Sequence, residues 1–370
     1  MDSGDDELMS LLDASVTSFL AQRHEQRRSR NGAAAFDVLW GEMAELGLVA
    51  LTLPTADGGA GLGHTEAGLI ARRLAEHLAP EPFAACAVMP AALIAALPPG
   101  EMRASLAAAL TSGSERLTIA WQEADGPLSR QPIGCKIDAA GRVLGEKFFV
   151  VAPDRRVLVS AVHAGETAVG VVDLTQPGIV RTDCVGTDGV PYAILRFEGA
   201  DLIGKTPLLC GPAASAALDM AIEAGLLANA AQLTGLIAGA LDLTLEYLRN
   251  RVQFGRPIGA FQALQHRAVD MRIALALSEA SLREAHRLAD QAPASAASAA
   301  AISAAKARAA SEALAVCKEA IQLHGAIGFT DEADVGLFAA AALKAASWLG
   351  GPHEHRRRFV AYDGELIHGL

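Results

Sequence analysis

Between Arg116 and Cys210 the spacing of apolar residues changes and then changes back, and this double switch limits the possible folds more than any other feature. On either side, apolar residues recur every three or four positions, the period of one helix face. Within the segment they alternate or run in short β-branched clusters, the period of strands. In the N-terminal part Leu8, Leu11, Leu12, Val16, Phe19 and Leu20 keep the helical spacing. Phe36, Leu39, Trp40, Met43 and Leu46 keep it as well, with Gly47 placed to end that helix. Residues 53–63, "LPTADGGAGLG", form a glycine-punctuated loop, and a third helix over about 65–77 is stopped by "APEP".

In the middle segment "RLTIAWQ" alternates, with Leu117, Ile119 and Trp121 on one face. "RVLGEKFFVV", "RRVLVSAV", "TAVGVVDL" and "YAILRFEG" are short runs separated by turn residues. Such spacing predicts a small β-sandwich or barrel. From Gly211 a helix reaches about Asn250, roughly 55 Å at 1.5 Å per residue. A second starts at Phe261, with Leu264, Ala268, Met271 and Leu275 in register; a third covers about 294–323 and a fourth about 332–348. The expected class is α+β, mainly α: an N-terminal helical domain over 1–115, a β domain over 116–210, and a C-terminal four-helix bundle over 211–370.

Composition narrows the function classes. Aromatics are only 5% of a chain that is 51% hydrophobic, so the core is built from Ala, Leu, Val and Ile. A net charge of −11 repels phosphate backbones and argues against nucleic acid. Cys86, Cys135, Cys184, Cys210 and Cys317 contain no CxxC pair, which indicates neither a zinc site nor a disulfide framework. A reduced, cytoplasmic protein is expected. The acidic N-terminus does not read as a signal peptide. The most apolar stretch, 225–241, contains Asn229, Gln232 and Thr234 and is expected to be a buried core helix rather than a membrane span.

Two motifs carry chemistry. The first runs Tyr247, Arg251, Phe254, Gly255, Ile258, Gln262, His266, and the second is "QLHGAIGF", with Gln322, Gly325, Gly328 and Phe329. Arg251 offers a planar, permanently charged fork suited to a diphosphate. Phe254 offers a flat face for an adenine, and Gly325 lets a backbone approach a pyrophosphate closely. The alternative for Arg251 is a solvated helix C-terminus. His266 reads as a structural helix residue or, alternatively, as a catalyst, and His324 is open in the same way. In this order and spacing the motifs resemble those of the acyl-CoA dehydrogenase family, with weaker echoes at "WGEMAELGL", at 53–63 and at "GEK" (Gly145 to Lys147). The resemblance spans the whole chain. It implies the family's fold, FAD as cofactor, an acyl-CoA substrate and an electron-transfer flavoprotein as acceptor. It also implies a set that grips the ADP half of a neighbouring subunit's FAD: Arg251, Gln253, Phe254, Ile258, Phe261, Gln262, Gln322, His324, Gly325 and Ala326.

Elsewhere the family pattern is lost. Its Thr-Glu-Pro-x-Ala-Gly-Ser segment at the own-subunit flavin is here "WQEADGPLS", where Glu123 survives, Gln122 stands for the Thr and Ala124 for the Pro. Its Trp-Ile-Thr reads Phe149, Val150 and Val151, so a hydroxyl becomes a methyl. The two positions at which family members carry the catalytic glutamate fall on Leu349 and Gly225. Leu226 replaces an arginine near the thioester, and the arginine of the fourth helix is missing at about Ala340. Glu223 matches an aspartate that meets the CoA end; two residues of helix turn it roughly 200° from the base position. The pattern resembles the shorter, non-catalytic type of chain in heteromeric acyl-CoA dehydrogenases of bacterial steroid and bulky-acyl degradation. The expected assembly is a heterotetramer with a catalytic chain, or a homodimer or tetramer. Two other readings stand beside it: a self-sufficient enzyme using Glu223 or Glu246 as base, and a non-enzymatic partner chain. "HEHRRR" (353–358) reads as a solvated helix face or a phosphate-facing run.

Overall fold

The computed structural model describes residues 3–22, 36–123 and 130–368. Backbone contacts group the chain into two compact units. One comprises Met1–Arg30, His64–Pro80 and Leu226–Leu370; the other comprises Asn31–Gly63 and Glu81–Gly225.

In the first unit α1 (Ser3–Gln22) lies against α3 (His64–Glu76), tied by an ion pair from Arg73 to Asp13. Only the C-terminal half of the predicted α1 face is sealed. Val16 and Leu20 are buried, whereas Leu8 and Leu11 are 40% and 64% exposed. Four long helices follow: α6 (Gly211–Asn250), whose last 25 residues belong here, α7 (Gln262–Gln291), α8 (Ala296–His324) and α9 (Val335–Ser347). Their core joins Leu233, Leu236, Ile237 and Leu241 of α6 to Met271, Leu275, Val316, Leu323 and Phe338. In the most apolar window of α6, 89% is buried inside the fold, which is what the burial of Asn229 and Thr234 among alanines requires. A tenth helix, α10 (Pro352–His368), packs on α8 and carries the "HEHRRR" run. There Arg356 and Arg358 donate to Ser311 and Ser303 of α8, and His355 is fully buried.

In the second unit α2 (Phe36–Glu45) buries Leu39, Trp40 and Met43, leaves Leu46 half-exposed, and ends at Gly47, whose N–H reaches the Ala44 carbonyl. The side chain of Phe36 lies outside the described residues. Two further helices, α4 (Met89–Ala95), entered through a π-helical turn at Ala84–Val88, and α5 (Glu101–Ser112), were not resolved individually by periodicity. Every residue from Ala84 to Ala91 is buried, and a helix apolar on all sides has no amphipathic signature.

The strands of this unit are β1 (Thr118–Ala120), β2 (Lys136–Ile137), β3 (Arg142–Val151), β4 (Arg156–His163), β5 (Glu166–Asp173), β6 (Ile179–Val185), β7 (Pro191–Asp201) and β8 (Leu209–Cys210). They join in one sheet, ordered β6-β7-β3-β2-β4-β5-β8, with β1 parallel on β4. Edge strand β6 is exposed along most of its length, so it lacks the apolar run that marks the others. The inward face is built from Val143, Val157, Val159, Ala168, Leu195 and Phe197.

Candidate functional site

The stretch after α6 is a two-strand hairpin rather than a plain helix connection. β9 (Val252–Gln253) pairs antiparallel with β10 (Arg256–Pro257), and the Ile258 N–H closes it on the Arg251 carbonyl at 2.8 Å. Its turn is Phe254–Gly255, both at positive φ (53° and 77°), as a two-residue hairpin of this hand demands. Glycine adopts that conformation freely; phenylalanine does so at a cost of about 1 kcal/mol or more. Phe254 is also 89% exposed. A strained, solvent-facing phenylalanine gains little from packing within its own chain beyond one edge-on ring contact with Phe261.

Around it the side chains form an array. The Arg256 guanidinium lies over the Phe261 ring, 4.2 Å from its centroid, and Phe261 meets Phe254 edge-on with centroids 6.0 Å apart. Arg251, Gln253 and Gln262 are exposed, and Ile258 is half-buried.

Besides the shared core of α6 and α8, a ring stack links the second motif to the first. Tyr247, in the last turn of α6, stacks on His324, the last residue of α8, with centroids 4.4 Å apart. His324 is 5% exposed, and its Nδ1 faces the Ala320 carbonyl at 2.8 Å. Burial lowers its pKa, so the ring is neutral and acts as a joint. Beyond it the chain turns through Gly325, at φ 67° and ψ −141°, a conformation open to glycine alone. Gln322, Gly325, Ala326 and Phe329 are exposed, Phe329 by 78%. Arg251, Phe254, Gln322 and Gly325 therefore gather at one end of the bundle. His266 is exposed on α7, four residues beyond Gln262.

The positions expected for a base are occupied differently. Leu349 is 1% exposed at φ 58°, and its carbonyl accepts from the buried His355 Nε2 at 2.8 Å. Just before it, Lys306 of α8, fully buried, donates to the carbonyls of Ala345 and Ala346 and to Asn229 Oδ1 at 2.7, 3.3 and 2.6 Å. Burial pulls the Lys306 pKa down to about 7, while three oxygens match the three donors of its charged form. Two buried bases thus clamp the turn that carries Leu349. Gly225 and Leu226 are buried within α6. Glu223 forms an ion pair with Arg130 at 2.8 Å, short of hydrogen-bond alignment, and Arg130 also donates to Asp219 at 3.3 Å. Glu246 is exposed on α6.

The "GEK" echo proves structural. Lys147 is fully buried and donates to Glu123 Oε1 at 2.7 Å, to the Trp121 carbonyl and to Ser160. Glu123 in turn accepts the N–H groups of Ile133, Gly134 and Cys135. Burial works to raise the Glu123 pKa, but the hydrogen bonds from Lys147 and Gly134 outweigh it and hold the carboxylate below its usual value. A Cβ on Gly145 would sit 2.7 Å from the Cys135 backbone, so glycine permits this close approach. Further along β3, Phe149 is 53% exposed at φ 51° and tilts against Tyr192, while Val151 is buried. Ala124 and the rest of 124–129 lie outside the described residues.

Models described as the acyl-CoA dehydrogenase N-terminal and C-terminal domains match residues 6–114 and 216–363. The acyl-CoA dehydrogenase IpdE2 of Mycolicibacterium smegmatis is 32% identical over 87% of this chain and 87% of its own. The chain belongs to the acyl-CoA dehydrogenase family of oxidoreductases. A solved variant of the Tcur3481–Tcur3483 steroid acyl-CoA dehydrogenase superposes with TM-score 0.85 and 28% identity, covering 98% of this chain and 99% of that one. A glutaryl-CoA dehydrogenase from Mycobacterium smegmatis, solved in complex with FADH2, shares the fold at TM-score 0.86 and 16% identity, covering 100% and 96%.

Arg256, Lys306, Arg130 and the pairing of Lys147 with Glu123 and Ser160 were not singled out from the sequence. Only Arg256 had a visible signal there, since it mirrors Arg251 across Phe254–Gly255 in "RVQFGR". The others depend on partners between 13 and 93 residues away.

Proposed function

We propose that this chain is one partner of a two-chain, FAD-dependent acyl-CoA dehydrogenase that converts an acyl-CoA thioester to its 2-enoyl-CoA. It lends its hairpin to a flavin seated mainly in the neighbouring chain. One contrast carries the reading. The residues that face outward, Arg251, Phe254, Gln322 and Gly325, are exposed at one end of the bundle, while Leu349, Gly225 and Glu223 offer no free carboxylate.

The ADP half of FAD fits the exposed set. Arg251 would take a phosphate through its fork, Phe254 would stack on the adenine, and Gly325 would let backbone N–H groups approach the pyrophosphate. The strained exposure of Phe254 becomes intelligible if a ring covers it in the assembly. When bound, the flavin supplies the acceptor for the substrate's β-hydride and passes the electrons on to an electron-transfer flavoprotein. The α-proton must go to a positioned carboxylate, and this chain has none free at the family's two positions, so the partner chain supplies it. The role of this chain is to bind, orient and shield. The substrate class is a bulky, steroid-type acyl-CoA, a reading supported by the likeness to the Tcur3481–Tcur3483 steroid enzyme.

The test is Arg251→Ala in the enzyme assembled with its partner chain. Losing a charge-assisted bidentate contact should weaken FAD binding by about 1.5–3 kcal/mol. Unchanged affinity rejects the assignment.

A further inference from the structure

We infer that Arg256 is a second phosphate-binding residue for the dinucleotide gripped in trans, held in aim by Phe261; this rests on the reading above. The argument begins with charge. The chain carries a net charge of −11, and most of its described arginines find a carboxylate, as Arg72, Arg103, Arg156 and Arg267 do. Arg251 and Arg256 lie five residues apart, and among the described residues neither forms an ion pair with a carboxylate, whereas the nearby Arg249 acts on Asp242. A surface that concentrates unpaired guanidinium groups on an acidic protein is built to meet an anion.

Geometry then separates Arg256 from a solvated arginine. Its guanidinium carbon lies over the Phe261 ring, 4.2 Å from the centroid. A long, exposed side chain is thus held by a cation–π contact, which uses up none of its N–H donors. A planar edge with several donors is the part of arginine that pairs with a phosphate. The β9–β10 hairpin sets where that edge points. Arg256 pairs with Gln253 across the ladder, directly beside the two-residue turn that projects Phe254. Phe261 touches both neighbours, Arg256 by its face and Phe254 by a perpendicular ring at 6.0 Å. It therefore works as a positioning residue between a base-stacking ring and a phosphate-pairing cation. Arg251 and Arg256 flank the turn as a pair of guanidinium groups, which suits a ligand with two adjacent phosphates and an aromatic base. FAD has both; FMN has one phosphate and no adenine.

The experiment uses the assembled apoenzyme, this chain with its partner, titrated with FAD and separately with FMN while flavin fluorescence quenching is followed. Arg256→Met should weaken FAD binding about 10- to 100-fold and leave FMN binding unchanged. Arg256→Lys, which keeps the charge and loses the planar stack, should fall between. Phe261→Leu should reproduce part of the loss with both arginines intact. Raising salt should weaken FAD binding less steeply in Arg256→Met than in the parent enzyme. If Arg251→Ala weakens FAD and Arg256→Met does not, this inference is overturned and the grip in trans stands. If neither substitution matters, both fall. Equal losses for FAD and FMN would place the contact away from the ADP half and overturn the inference as well.

Discussion

Tyr247 and His324 stack with ring centroids 4.4 Å apart, and that contact joins the last turn of α6 to the last turn of α8. Each residue sits at the threshold of a motif: Arg251 follows Tyr247 by one helical turn, and Gly325 follows His324 directly. Tyr247 and His324, 77 residues apart in sequence, bring the two motifs onto one surface together with the core shared by α6 and α8. A double-mutant cycle on Tyr247→Ala and His324→Ala should return a coupling of about 0.5–1.5 kcal/mol in thermal or denaturant unfolding. No coupling would mean that the motifs are held independently.

Introducing the family's carboxylate should not make this chain a dehydrogenase. Leu349 is 1% exposed in a turn clamped by Lys306 and His355, so Leu349→Glu buries an unpaired acid. The expected result is a loss of several kcal/mol of stability and no gain in anaerobic flavin reduction. Turnover by the Leu349→Glu chain alone would show that the turn is open to substrate.

Alone, the chain should bleach bound flavin slowly or not at all with straight-chain or sterol-type acyl-CoAs, since a missing general base removes about 10²–10⁴-fold in rate. Glu223→Gln and Glu246→Gln should leave the activity of the assembled enzyme unchanged within a few-fold. Rapid, stoichiometric bleaching by the lone chain, abolished by either substitution, would establish a self-sufficient enzyme.

Stability should fall on acidification through a particular histidine. His286 of α7 is 7% exposed, and its ring lies against Gly68 of α3, where a Cβ would come within 2.2 Å. Its Nε2 has no partner among the described residues. Burial, opposed by Asp290 and aided by His64, lowers its pKa from 6.5 to about 4. The unfolded chain therefore binds more protons between those values. Stability is fully present above about pH 6.5 and is lost as pH falls towards 4, by on the order of 3 kcal/mol. Denaturant unfolding across that window should show the slope, and His286→Phe should flatten it; an equal slope in the variant would rule His286 out as its source.

Lys147→Met should destabilise the sheet unit by about 3 kcal/mol, because Glu123 would keep its charge without its buried cation. Adding Glu123→Gln should recover part of the loss. Protection of the Ile133–Cys135 amides against hydrogen exchange is the local measurement, and it should drop in the single variant.

The order of helices, strands and helices, the span of α6 and the site of both motifs were legible in the sequence, because apolar period and turn residues are local signals. α4, apolar on every side, and the exposed edge strand β6 left no such signal. Arg251, Phe254, Gln322 and Gly325 could be named from their motifs and the family those motifs resemble. Their gathering on one surface could not, since it depends on Tyr247 meeting His324 across the bundle. The sequence likewise shows that Leu349 and Gly225 stand where a glutamate is usual. Only the tertiary structure decides that Leu349 is sealed by two buried bases and that Glu223 answers Arg130. Local sequence sets which backbone and side-chain types are available; whether a carboxylate is free or a ring is buried is set by neighbours brought in from distant parts of the chain.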